Sequence, residues 1–365
     1  MFPVERALLI INRTAGTGGG ESIAENLTVL FKQGLEQLSE VKVNLVSNHA
    51  AARACAAAFI SESEAPALIV AGGGGGTLRA VIEGICDSRT AADLPGSQRV
   101  RVGALRMGSG NVLAKQFGVP HDPVVGLHSL LLNLKAGRTV PCCVMRCETW
   151  TSSGNCEVHH AVTLGGLGQF GHIPSDLARW HARFPFIHKG VARAFGVEKL
   201  TNVEYAVALL IRCLSCVLFA DCAETVEIQF QDRSERLRLL SGVVMNFPIP
   251  ALPFEPGVSV TDEAVSVYLI PFRGRCSPLQ QLVAPQNLIR HARHIRIEKD
   301  QRLDIRFLDQ DGVEFFLDED PISTYRQLSL SVAGSIAFVP GLDYPVDQLC
   351  LKDGNLLGSG QYRER

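Results

Sequence analysis

The stretch Ala67-Leu68-Ile69-Val70-Ala71-Gly72-Gly73-Gly74-Gly75-Gly76-Thr77 decides how this chain is read. The apolar run makes a buried strand and the glycines make a bare backbone turn. Leu78-Arg79-Ala80-Val81-Ile82 then starts a helix. Without Cβ atoms the backbone lets a phosphate come close. A helix start adds unpaired N–H donors and a positive dipole end. An anion is therefore expected at this turn. Two common phosphate fingerprints fail. A P-loop needs Lys followed by Ser or Thr, but Leu78 and Arg79 follow Thr77 here. A dinucleotide fingerprint starting at Gly72 needs a glycine at position 77, which is Thr.

Two more loops repeat the pattern. Ala7 to Ile11 leads into Asn12-Arg13-Thr14-Ala15-Gly16, and Val102-Gly103-Ala104-Leu105 leads into Arg106-Met107-Gly108-Ser109-Gly110-Asn111. Strands centred on Leu8, Val43, Ile69 and Val102 alternate with helices at 21–38, 50–61, 77–86, 111–117 and 123–134. The alternation predicts a doubly wound parallel sheet over 1–136, an α/β domain with ligands at the C-terminal strand ends. From Gly137 the texture changes to short β-rich runs, several alternating polar and apolar residues, as Arg236-Leu237-Arg238-Leu239 does. A β-sandwich-like domain over 137–344 is expected, with helices at 176–216 and 278–293 and a polar tail at 345–365.

These loops resemble the motifs of the diacylglycerol kinase catalytic-domain family, which includes sphingosine kinases and bacterial lipid kinases. The family's Asn-Pro-x-(Ser/Ala)-Gly stands here as Asn12 to Gly16. Its Gly-Gly-Asp-Gly-Thr stands as Gly73-Gly74-Gly75-Gly76-Thr77, and its (Leu/Ile)-Pro-x-Gly-Thr-x-Asn as Leu105 to Asn111. The likeness extends more weakly to Asn246, Asp262 and Asp318-Glu319-Asp320-Pro321. It implies a two-domain lipid kinase that uses ATP and Mg²⁺.

By that resemblance, Asn12, Arg13, Thr14, Ala15, Gly16, Gly73, Gly74, Gly75, Gly76 and Thr77 cradle the triphosphate. Ser47 stands near the nucleotide, and Ser109 and Asn111 line the cleft. Asp318 and Asp320 correspond to the acidic pair whose last member takes the lipid hydroxyl proton, and Asp262 to a metal-holding aspartate. Several positions depart from the family. Gly75 replaces its aspartate, Ala80 its glutamate, and Pro141 stands where a further aspartate would fall. Arg13 and Arg106 replace prolines and are expected to offset the lost charge by pairing with phosphate oxygens. Glu319 replaces a glycine, so positive φ is disfavoured there. Gly75 itself is compatible with positive φ.

With 35 Lys and Arg against 37 Asp and Glu, the chain offers no broad field for nucleic acid. Its 11 cysteines and the lack of a signal-like N-terminus suit a reducing cytoplasm. Cys142, Cys143, Cys147, Cys156, His159 and His160 lack a zinc-site repeat and read as strand residues. The apolar window 205–220 is too short to span a bilayer and contains Arg212. Segment 180–189 interleaves aromatics with cations, which suits either a solvated surface or peripheral docking on anionic lipid. ATP-dependent phosphorylation of a lipid hydroxyl is the leading expectation. A catalytically impaired nucleotide- or lipid-binding relative and a NAD-kinase-like kinase of a soluble substrate are the alternatives. The sequence leaves the oligomeric state open.

Overall fold

The computed structural model describes residues 4–15, 20–88, 99–108, 111–183, 201–219, 222–249, 254, 257–274, 290–318 and 320–345. The chain divides into two compact units, Met1–Val144 with Ala333–Arg365, and Met145–Val332.

In the first unit, β1 (Arg6–Asn12), β2 (Glu40–Val46), β3 (Ala67–Gly73) and β4 (Val100–Arg106) pair in parallel, in the order β2-β1-β3-β4. Helices α1 (Gly20–Gly34), α2 (His49–Ser61), α3 (Gly75–Asp87), α4 (Val112–Gln116) and α5 (Pro123–Lys135) connect or follow them. Every residue of β3 is buried, as expected of a central parallel strand covered on both faces. Edge strand β2 is largely half-buried or exposed and carries Lys42. Capping fixes two helix starts. Asn48 accepts from Ala51 N at 2.8 Å to open α2, and Asp122 accepts from Val124 N and Val125 N, both at 2.9 Å, to open α5. Close approach fixes the helix pairs. A Cβ on Gly84 of α3 would run into the Arg53 carbonyl of α2, and one on Gly34 would lie 2.6 Å from Leu131 of α5.

The end of the described chain completes this unit rather than the β-rich one. The last residues of β15 (Gln327–Phe338) pair in parallel with β4, Ala337 opposite Arg101 and Phe338 opposite Val102. Phe338 stacks on Phe117 with ring centroids 4.3 Å apart, and Asn133 Nδ2 donates to the Pro340 carbonyl at 2.9 Å. The sequence reading had placed residues up to 344 in the second domain. Composition does not show that a terminal strand returns to a distant parallel sheet.

The second unit is rich in antiparallel strands. β14 (Asp320–Tyr325), β13 (Gly312–Leu317), β7 (Leu164–Leu167), β9 (Arg233–Met245), β8 (Glu224–Phe230), β12 (Arg302–Phe307) and β15 follow one another in that order. β10 (Ala264–Pro271) joins β9 and carries β11 (Arg293–Glu298), with a bulge at Ile270/Pro271. β5 (Val140–Trp150) pairs with β6 (Cys156–Ala161), setting Cys147 opposite His159. Helix α6 (Gly168–Gly171) precedes α7 (Ile173–Arg183), and α8 (Thr201–Phe219) packs on α7. The expected helix at 278–293 lies mostly outside the described residues. Strand β14 escaped the sequence reading because it opens on Asp320-Pro321, and proline is confined to edges such as this one.

Candidate functional site: three loops at one edge of the parallel sheet

Strand register aligns the expected loops. Asn12 lies opposite Val46, Ile11 opposite Gly72, and Gly73 opposite Arg106, so the C-terminal ends of all four parallel strands share one edge. The chain runs from β1 outward to β2 and then back to β3, which makes the β1/β3 crevice the switch point where open α/β sheets bind ligands.

Side chains bridge that crevice. Asn12 Nδ2 donates to Thr77 Oγ1 at 3.2 Å and ties the first loop to the second. Asn12 Oδ1 accepts from Thr14 N at 3.0 Å and Thr14 Oγ1 at 2.8 Å, and Arg13 N donates to the Val46 carbonyl at 2.9 Å. Arg13 and Thr14 are exposed, Ala15 is buried, and Ser47 is exposed just past β2. Gly16 lies outside the described residues. Sequence reading named Asn12 and Thr77 separately. Their bond follows from the adjacency of β1 and β3.

The glycine turn is tighter than its composition suggests. Gly74 is the N-cap of α3 and makes no side-chain cap bond, so no side-chain cap competes for the first N–H groups. Gly75 is the first helical residue and takes helical backbone angles, so the positive φ considered for it does not occur. A Cβ on Gly73 would strike the buried Thr77 side chain, and one on Gly108 would strike the Gly74 backbone. The backbones of the second and third loops thus touch at Gly74 and Gly108. Asn111, at φ 50°, closes the third loop: Gly108 N donates to its Oδ1 at 2.9 Å, and its Nδ2 returns a bond to the Gly108 carbonyl. Ser109 lies outside the described residues. Arg106 makes a long bond to the Val119 carbonyl at 3.5 Å, while its buried Nε has no hydrogen-bond partner among the described residues.

One charged cluster was missed. Glu83, 1% exposed, sits one turn after Arg79 in α3. Its Oε1 accepts from Arg79 Nη2 at 2.9 Å, and its Oε2 meets His49 Nε2 at 2.8 Å and Arg53 Nη1 at 3.1 Å. Burial alone would raise its pKa. The His49 bond and the charges of Arg79 and Arg53 prevail and hold it at about 2. The Arg79/Glu83 spacing of four in an otherwise apolar helix was the available signal. Among the described residues of α3, this carboxylate is committed to internal cations.

The second unit holds the remaining acids. Asp318, 2% exposed and at φ 48°, accepts from Val162 N at 2.9 Å, Thr163 N at 2.8 Å and the Thr163 hydroxyl. It straps the β13–β14 turn to the β6–β7 junction and is a structural carboxylate rather than one open to a substrate. Positive φ thus falls on Asp318, where a short side chain bonds locally. Glu319 lies outside the described residues. Asp320 is half-buried at the start of β14, opposite Leu317. Asp262 Oδ2 accepts from Ser259 N at 2.9 Å in the turn before β10. Among the described residues no three His, Cys, Asp or Glu side chains converge on a metal-sized site. Gly75 and Ala80 bring no carboxylate to the loops. Trp180 is half-buried against Ile173, Leu177 and Ala208, and residues 184–189 lie outside the described set.

Comparison with known proteins agrees with the motifs. Residues 6–145 match the model of the diacylglycerol kinase catalytic domain. No curated protein matches the chain. A provisionally assigned diacylglycerol kinase from Bacillus anthracis strain Sterne superposes with a TM-score of 0.61 at 14% identity, covering 94% of this chain and 98% of that one. A diacylglycerol kinase structure from the same strain gives a TM-score of 0.55 at 14% identity, covering 94% and 99%. The fold is that of diacylglycerol kinase-like structures, and residues 6–145 carry that family's catalytic-domain signature. No described helix is long and apolar enough to cross a membrane.

Proposed function

We propose that this protein is an ATP-dependent kinase of a lipid hydroxyl. The observation that carries the reading is the Asn12–Thr77 bridge across the switch point, with the Gly74–Gly108 contact beside it. Together they gather three family motifs at one sheet edge. The backbone N–H groups of Gly75 and Gly76 open α3 and suit the terminal phosphates. Asn12, Thr14, Ser47, Ser109 and Asn111 are assigned to nucleotide contacts. Asp320 is assigned as the base that removes the lipid hydroxyl proton. The freed oxygen attacks the γ-phosphorus, its P–O bond forms as the bond to ADP breaks, and ADP departs with the electron pair. Asp318 positions the turn that carries Asp320.

The missing acids support a second reading, in which the protein binds nucleotide without transferring phosphate. Gly75 and Ala80 supply no carboxylate, and Glu83 is held by Arg79, Arg53 and His49. An ATP titration by calorimetry beside a transfer assay on diacylglycerol and sphingosine separates the two. Binding with transfer supports the kinase. Binding alone supports the second reading, and neither would overturn both.

A further inference from the structure

Among the described residues, the densest run of exposed aliphatic side chains lies on α8, whose inward face is apolar as well except at Arg212. Its buried or half-buried face carries Ala208, Arg212, Cys213 and Cys216. Its exposed face carries Val207, Leu210, Ile211 and Leu214, each 41–44% exposed, and Leu218, 72% exposed. At 3.6 residues per turn, these positions share an arc of about 100°. None of them is charged. The helix is locked in this orientation from its other side. Arg212 Nη2 donates to Asp176 of α7 at 3.0 Å, Arg212 Nη1 to Gln169 Oε1 at 3.2 Å, and Ala208 packs on Ile173 and Leu177. Rolling the aliphatics inward would break that ion pair and bury a charge.

We propose that the 207–218 face of α8 docks this protein on an anionic lipid bilayer, lying in the interface and not spanning it. The inference rests on the lipid-kinase reading and names the surface by which the enzyme reaches its substrate. Size favours lipid over a second copy. The stripe is about 16 Å long on a helix about 10 Å wide, far below the roughly 800 Å² per partner of a standard interface. Its depth of one side-chain layer matches helices that lie in the headgroup boundary. Charge favours an anionic surface. Packed on α8, the last turns of α7 expose Arg179, His181 and Arg183 beside the α8 N-terminal end, where Arg179 pairs with Asp176 at 2.7 Å and His181 with Glu204 at 3.4 Å. The stripe replaces the Trp180 ring as the docking element, because that ring is packed between α7 and α8.

The test is co-sedimentation of the full chain with phosphatidylcholine vesicles with and without phosphatidylglycerol. It compares wild type with Leu210→Ser/Leu214→Ser/Leu218→Ser. Wild type is expected to sediment with the anionic vesicles, and the triple variant to bind about tenfold or more weakly. The variant should melt within a few degrees of wild type, since the replaced side chains face water. Equal vesicle binding by both proteins overturns the proposal, as does a wild type that never sediments. A large fall in melting temperature shows that the chain itself covers the stripe. Loss of a wild-type dimer in sedimentation velocity shows that a second copy does. Either result overturns it. Phosphate transfer to a water-soluble short-chain diacylglycerol keeps the two readings apart. The variant should retain that rate while losing transfer to vesicle lipid. Vesicle binding without any transfer would count against the kinase reading and leave the docking surface standing.

Discussion

The proposed chemistry turns on single carboxylates. Asp320→Asn should lower phosphate transfer roughly 10²–10⁴-fold, the usual contribution of a general base, while calorimetry shows ATP affinity unchanged. An unchanged rate would remove Asp320 from the mechanism. Gly75→Asp should fold, because position 75 is the first residue of α3 with helical backbone angles. A carboxylate in a first turn is stabilised by about 0.3–1 kcal/mol. If the missing acid limits turnover, initial rates of this variant rise above wild type. A folded variant with no gain would place the limitation elsewhere. Glu83 makes a pH prediction. Its folded pKa of about 2 lies below the ordinary 4.5, so its stabilisation is full above pH 4.5 and lost as pH falls toward 2. That shift corresponds to about 3 kcal/mol at neutral pH. Urea unfolding should therefore show Glu83→Gln less stable at pH 7, with the two proteins converging in acid.

At the scale of elements, backbone contact brings the second and third loops together. Gly108→Ala would drive a methyl into Gly74. It is expected to part the second and third loops and weaken ATP binding about tenfold or more, at a stability cost of roughly 1–3 kcal/mol. ATP affinity equal to wild type in a folded Gly108→Ala protein would separate that contact from the nucleotide site. Strands β1 and β3 were legible in the sequence because buried parallel strands are continuous apolar runs. Asn12, Gly73 and Asn111 were legible as motif residues through the resemblance of their loops to the family's motifs. The Asn12–Thr77 bond was not, since strand order in space decides which loops become neighbours. The role of Asp318 was hidden too. An acidic turn reads as surface, and only the tertiary fold brings Val162 N and Thr163 N to its oxygens. Glu83 was overlooked because its compensating cations come partly from α2, in another segment of the chain.

On the whole-molecule scale, the first unit is discontinuous in sequence. Its parallel sheet gains a strand from residues after Ala333, and Phe117, Phe338 and Tyr344 form one aromatic cluster. A fragment ending at residue 144 should therefore be unstable to urea, and a fusion of 1–144 to 333–345 through a short linker should recover cooperative unfolding. Equal stability of the two fragments would show that the returning strand is dispensable. The glycine loops belong to one unit and Asp320 to the other. The most direct test is transfer of labelled γ-phosphate from ATP to diacylglycerol and sphingosine in mixed micelles, wild type beside Asp320→Asn. The account predicts a labelled phospholipid product that requires ATP and falls roughly 10²–10⁴-fold in the variant. ATP bound with no labelled lipid from either protein would contradict it.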